Sequence, residues 1–482
     1  ITTNNGSIVL SSQAGSLALN DGTATADGSA IDVNGTGNLL LQTLASNGDV
    51  ILNARASSGT GNLTIIAGDD VDINADLSTM GAGTAFVLST NGAADTISGI
   101  DMAAGTSITT DGGNVSLSTT GEGDIRLGLI NVGSGDVSLI AERDIRNSGV
   151  AVNVVANDLR MVADANSSGV PGHLGSIGKS DVQGTRQDTV NREAIGTTVN
   201  FVAARAAEGI YIHETNSIEV SRTGNASGNI NVNRVNVDST ATLLSDNFQS
   251  LEDLTTTSNG PIKLVAEGGT ITINGGGDSA GISANGTGDV LVEARGLTSD
   301  VIVNATVQSG TGHVTLNAGR DVDINTSLTT VGGGTMYVRS GRNTDIDAMI
   351  TTANGDVLVD ASSSISQTAQ ITSTTGDIGL IAGQNITQTA TGDITTTTGD
   401  VLIKATAGNW TMAGHNTTRA NNTEITLGGG DFLGIAGGNI TLGVISLTNA
   451  TDNRVALQAG GSITDANVGF VNIEETVAAS AT

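Results

Sequence analysis

Two stretches of this chain place oxygen-bearing side chains at a spacing that suits a hard cation. In "GDDVDINADL" (68–77) Asp70, Asp72 and Asn74 alternate with Val71 and Ile73, and in "GRDVDINTSL" (319–328) Asp321, Asp323 and Asn325 do the same. A strand period of two puts the polar three on one face and the apolar pair on the other. Calcium is the chemistry such a face offers, and D-x-D-x-N also opens an EF-hand loop. The rest of that loop is missing. Its sixth position, which requires glycine, holds Ala75 or Thr326, and its twelfth, which requires a bidentate glutamate, holds Gly81 or Gly332. A looser surface calcium site at Asp70, Asp72, Asp321 and Asp323 stands beside the plainer reading that these are outward residues of a strand. Across 59–77 and 310–328 the two copies agree at 12 of 19 positions, and Asp69 is replaced by Arg320 and Asp76 by Ser327. What repeats is an inward Val and Ile flanked by polar residues, which favours the strand.

A second cluster gathers cationic and aromatic groups in an irregular segment, 158–222. Arg186, Arg192, Tyr211, His213 and Glu214 are its candidate ligand- or partner-binding residues, since binding residues concentrate on loops carried by a rigid scaffold. The competing reading is a long loop that decorates one coil and packs on a neighbour. Catalysis finds little support. His173, His213, His313 and His415 are far apart, no G-x-S-x-G elbow is present, and Trp410, Tyr211 and Tyr337 fall in different parts of the chain. Carbohydrate cleavage needs paired carboxylates and usually aromatic platforms, so a polysaccharide-binding or polysaccharide-cleaving protein is kept only as an alternative. No enzyme and no resident cofactor are expected.

The elements that must carry these residues are short strands. "GDVILNA", "GNLTIIA", "GDVSLIA", "GDVLVEA", "GDVLVDA", "GDIGLIA" and "GDVLIKA" each alternate apolar and polar residues behind a Gly-Asp or Gly-Asn pair. The pairs read as turns, with glycine supplying positive φ and aspartate capping its own backbone. The strands, four to six residues each, hold no helix-length stretch at 3.6 periodicity, and they group into blocks of about 21 to 25 residues that do not suit a sandwich. A coil of that length stacks in parallel on the next, about 4.8 Å away, around a narrow aliphatic column. The expected fold is therefore all-β, an elongated right-handed parallel β-helix or β-solenoid. Residues 35–90 correspond without gaps to 286–341, at an offset of 251. The chain thus divides into a first repeat unit, 1–258, and a second, incomplete unit, 259–482, continuous with it.

Composition agrees with this reading. Glycine makes up 67 of 482 residues without a three-residue period, and aromatics only 2%, which suits a narrow interior and excludes collagen. The net charge of −29 is spread along the chain, so nucleic acid and passive membrane binding are disfavoured. With no cysteine, disulfides and thiolate metal sites are excluded, and no apolar run reaches the ~18 residues of a membrane-spanning helix. The start at Ile1 reads as a mature or excised piece of something longer.

The "GDVxLxA" strands, the "GGSITDAN" ending and the passage "TVNFVAARAAEGIYIHETNSIEV" resemble the repeat regions of giant bacterial surface proteins, similar to filamentous-haemagglutinin-type adhesins. The resemblance implies secretion across the outer membrane to the cell surface and a role in adhesion, aggregation or cell-surface architecture. Its partners would be other copies of itself or molecules of host or neighbouring cells, possible glycans among them. A self-assembling filament or sheath subunit, stacking β-helices end to end, is the alternative.

Overall fold

Short β-strands behind glycine-containing bends dominate the chain, and nearly every strand pairs in parallel with one that lies about one coil away in sequence. The structure, a computed structural model, describes residues 1–22, 27–90, 99–164, 175–178, 193–415, 418–448, 453–467 and 472–475. It divides into two compact units, Ile1–Gly260 and Pro261–Thr482. No helix is long and apolar enough to cross a membrane.

In the first unit each full coil contributes a strand to each of three parallel ladders. The first face carries Ile8–Ser12, Leu39–Thr43, Leu63–Ala67, Ala85–Ser89, Val115–Thr119, Val137–Ile140 and Asp158–Val162. Leu17–Leu19, Val50–Leu52, Val71–Ile73 and Gly99–Met102 begin the second face. Thr2–Asn4, Ser29–Asn34, Arg55–Ser58 and Leu77–Ser78 begin the third. The second unit repeats the scheme, with Val290–Ala294, Val301–Val303 and Thr306–Ser309 as one coil. This is a parallel β-helix.

The core is a stack of like residues. Leu39, Leu63, Ala85, Val115, Val137 and Leu159 occupy one buried position of successive rungs, and Val301, Val322, Ile365, Ile386 and Trp410 belong to one in the second unit. Each buried Leu, Ile or Val stabilises the stack by about 1.5–3 kcal/mol. The single tryptophan is fully buried. Its Nε1–H donates to Gln388 Oε1 at 2.8 Å, Gln388 donates to Gln367 Oε1 at 2.9 Å, and its ring meets Phe432 at 5.7 Å. Inward threonines end the first-face strands: Thr43 Oγ1 donates to Gly48 O at 2.7 Å and Thr119 Oγ1 to Gly123 O at 2.8 Å, so the buried hydroxyls are satisfied at the bends.

The Gly-Asp pairs work differently from the turn reading. In the second unit Asp377 N–H donates to Asp356 Oδ1 (2.9 Å, 21 residues back), Asp400 N–H to Asp377 Oδ1 (2.8 Å, 23 back) and Asp431 N–H to Asp400 Oδ1 (2.7 Å, 31 back). Each aspartate caps the next coil rather than its own backbone. Gly355, Gly376, Gly399 and Gly430 have no positive φ. A Cβ on Gly376 would stand 2.2 Å from the carbonyl oxygen of Gly355, and one on Gly399 2.0 Å from that of Gly376. Close approach of successive backbones requires glycine here.

One element departs from the stack. Asn231–Val235 and Ala241–Ser245 form an antiparallel hairpin that crosses the first face of the first unit. Asn114 Nδ2 donates to Asn231 O (2.9 Å), Asn233 N–H to Thr84 Oγ1 (2.8 Å), Val235 N–H to Thr64 Oγ1 (2.8 Å) and Asn38 Nδ2 to Ser239 O (2.9 Å). Beneath it the outward positions Leu40, Thr64, Phe86, Ser116 and Ser138 are buried.

Candidate functional site

Asp70 and Asp321, two of the calcium candidates, are rungs of aspartate ladders. Asp70 N–H approaches Asp49 Oδ1 at 3.4 Å, and Asp70 Oδ1 accepts from Gly99 N–H at 2.9 Å. Asp321 N–H likewise donates to Asp300 Oδ1 at 3.1 Å, and Asp321 Oδ1 accepts from Asn343 N–H at 3.0 Å. Both aspartates therefore hold the next coil.

The structure brings Asp70 close to Asp69 and Asp49 rather than to Asp72. The carboxylates of these three lie within 4.8 Å of one another, the one such grouping found among the described residues. Asp69 itself is buried and Asp49 and Asp70 are half-buried. Three monodentate carboxylates supply fewer oxygens than the six to eight that calcium takes. In the second unit the place of Asp69 is held by Arg320, which donates to Asp300 through Nε at 2.7 Å and through Nη2, while Arg342 grips Asp321 through Nε at 2.8 Å and through Nη2. The Arg342 hydrogen bond holds the Asp321 carboxyl below its usual range.

Asp72 and Asp323 point outward, half-buried, between fully buried Val71 and Ile73 or Val322 and Ile324. Each faces an aspartate on the next rung, Asp101 and Asp345. Burial, and then the neighbouring charge, raises both carboxyls. Asn74 and Asn325 belong to amide ladders instead: Asn74 Nδ2 donates to Asn53 Oδ1 at 3.1 Å and Asn325 Nδ2 to Asn304 Oδ1 at 2.9 Å.

Of the binding candidates, Arg186 and Arg192 lie outside the described residues. Tyr211, His213 and Glu214 share the strand Gly209–Glu214, on which Tyr211 and His213 are half-buried on one side and Glu214 is fully buried on the other. Glu214 accepts from Thr197 Oγ1 (2.7 Å), Val199 N–H (3.1 Å), Thr215 N–H (2.9 Å) and Asn216 N–H (3.0 Å), so it serves as a structural cap. Burial raises its carboxyl against those four donors.

Tyr211 lines a cleft of about 490 Å³ with Asp144, Arg146, Asn147, Ser176, Glu193 and Glu208. Asp144 is committed there, to Arg146 Nη2 at 2.5 Å and to Ser176 N–H at 2.7 Å. Exposed Glu193 and Glu208 remain at the rim, and burial followed by the charge of Glu208 raises the Tyr211 phenol, which stays a proton donor at neutral pH. A phenol beside two carboxylates can hydrogen-bond hydroxyl-rich or cationic groups.

Compared with protein-family models, with curated proteins and with solved structures, the chain matches none. The functional reading therefore rests on its own residues.

Sequence reasoning missed the hairpin and its anchor. Arg160 is fully buried, ion-paired to Asp246 at 2.6 Å, and donates to Thr223 Oγ1 (3.1 Å), Thr223 O (2.8 Å) and Gly228 O (2.7 Å). Asp246 also accepts from Ser138 Oγ at 3.1 Å. The signal available was the alternation in "NINVNRVNVDSTATLLSD" on both sides of Asp238 and Ser239, whose φ is +66°.

Proposed function

We propose that this chain is a non-catalytic, extracellular structural and adhesive segment of a large secreted bacterial surface protein. The observation that carries the reading is the use made of the polar side chains. Asp49, Asp70, Asp300, Asp321, Asp356, Asp377 and Asp400 each accept the backbone N–H of a later coil, and Asn53 and Asn304 link amide to amide. Groups that would do chemistry elsewhere here hold one coil to the next, as a load-carrying repeat array requires. The acidic surface supports solubility at high local density, and the resemblance of the repeat style to that of filamentous-haemagglutinin-type adhesins supports the surface location.

Beads coated with the purified chain should adhere to cells or to one another more than beads coated with an unrelated protein of equal net charge; equal adhesion sinks the adhesive part. Electron microscopy over a concentration series separates the alternatives, since a filament subunit polymerises and a shaft segment stays as single particles. The cleft at Tyr211 favours a second reading, recognition of a glycan by its hydroxyl groups. Glycan binding that survives Tyr211→Ala would remove that reading.

A further inference from the structure

The first face of the second unit carries an apolar groove where the first unit carries its own hairpin. The equivalence is by position: Leu40, Thr64 and Phe86 correspond to Leu291, Thr315 and Tyr337 at the offset of 251. In the first unit this outward column is buried beneath Asn231–Val235. In the second unit the column continues through Leu358, Gly379, Leu402, Leu433 and Ala456, and lines a groove of about 580 Å³. Leu358 is 37% exposed and Leu433 40%, so no described residue covers them. Large apolar side chains in an exposed row mark an interaction surface.

The rim decides what fits. Asp356, Asp377, Asp400 and Asp431 line one edge, all exposed, with Arg454 the one cation of that edge. On the neighbouring outward column Asp360 pairs in register with exposed Arg339 one rung before it, and Lys404 stands two rungs after it. A second copy of this chain, at net charge −29, is repelled there, and the hairpin carries no cationic excess, with Arg234 set against Asp238. We propose that the groove docks an extended, amphipathic segment of a partner protein that presents apolar side chains to Leu358, Leu402 and Leu433 and Lys or Arg to the aspartate edge. Five rungs about 4.8 Å apart span about 19 Å, the length of about six extended residues. The hairpin of the first unit shows, over the strands that correspond by repeat position, how a strand crosses the rungs. This inference does not rest on the adhesive reading and stands or falls separately.

The test uses the whole chain and three fluorescent peptides of about eight residues. One alternates Leu with Lys, one alternates Leu with Glu, and one alternates Ser with Lys. Fluorescence anisotropy should show saturable binding of the Leu/Lys peptide alone. Its Kd should rise about tenfold or more in Leu402→Ser/Leu433→Ser, and by a similar factor in Asp377→Asn/Asp400→Asn, which keeps the acceptor for the coil above while removing two charges. Asp278→Asn, far from the groove in sequence, should change nothing. Equal binding of the Ser/Lys peptide, equal affinity in the groove variants, or absence of binding would each overturn the proposal. So would preferential binding of a peptide spanning residues 229–247, which would make the occupant another copy of this chain. Unchanged circular dichroism in each variant keeps a loss of affinity from being a loss of fold.

Discussion

The two units build the same coil and then treat its surface in opposite ways. In the first, a hairpin lies over the first face, tied down by buried Arg160 and Asp246, and three carboxylates crowd together at Asp49, Asp69 and Asp70. In the second, the equivalent face is open along Leu358, Leu402 and Leu433, and Arg320 converts the equivalent carboxylate group into an ion-pair network with Asp300, Asp321 and Arg342. Backbone ladders and inward aliphatics are common to both, whereas covering and charge are not. Fold in this architecture is carried by the inward column and the bends, which leaves the outward columns to diverge.

The largest effect expected is at the hairpin anchor. Arg160→Ala leaves Asp246 buried without its cation and should cost about 3–5 kcal/mol in the first unit, while the unfolding of the second unit stays unchanged. Domain-resolved denaturation checks this, and a matched loss in both units would mean that the anchor is not local. Next comes the glycine stack that both units share. Gly376→Ala drives a Cβ into the Gly355 carbonyl and should destabilise by about 1–3 kcal/mol, whereas Gly333→Ala, with open space around it, should stay within about 0.5 kcal/mol. Equal effects at the two glycines would remove the stacking explanation.

A pH experiment sharpens the contrast further. Burial, aided by Asp136 and opposed by the Gly224 N–H and Arg160, pushes the Asp158 carboxyl up to about 6. Its folded value lies above its unfolded one, so ionisation costs folded stability, and that cost grows as pH rises from about 4 to about 6. Asp158→Asn should therefore be more stable than the parent above pH 6 and converge with it toward pH 4. Asp321 runs the other way: held low by Arg342, it adds stability above its unfolded pKa that is lost as acid titrates it. A urea midpoint gap for Asp158→Asn that does not vary with pH would contradict the assignment. The smallest effect is at half-exposed Arg320. Arg320→Asp restores three carboxylates in the second unit and should lower its melting point slightly, more at low salt than at high salt.

The alternation of apolar residues in "GDVLVDA" and its relatives made the strands and the parallel stacking legible, because an inward column of Val, Ile and Leu leaves a period of two. The internal copy also exposed Asp72 and Asp323 as outward strand residues. Other features were not legible because they depend on partners a full coil or more away. Whether aspartate in Gly-Asp caps its own turn or the next coil is invisible without the register that sets Asp377 on Asp356. The alternation on both sides of Asp238 and Ser239 signals a hairpin, but it shares the period-two pattern of every other strand, so where Asn231–Val235 docks, across Thr64 and Thr84, depends on partners far away in sequence. Glu214, grouped by sequence with Tyr211 and His213, faces inward simply because strand positions alternate sides.

The central claim is that the aspartates are coil-to-coil caps, and residue-resolved amide hydrogen exchange of Asp377→Ala tests it most directly. The account predicts faster exchange at the Asp400 N–H, 23 residues downstream, with the amides immediately after residue 377 little changed. Faster exchange confined to the bend around residue 377, with Asp400 as protected as before, would contradict it.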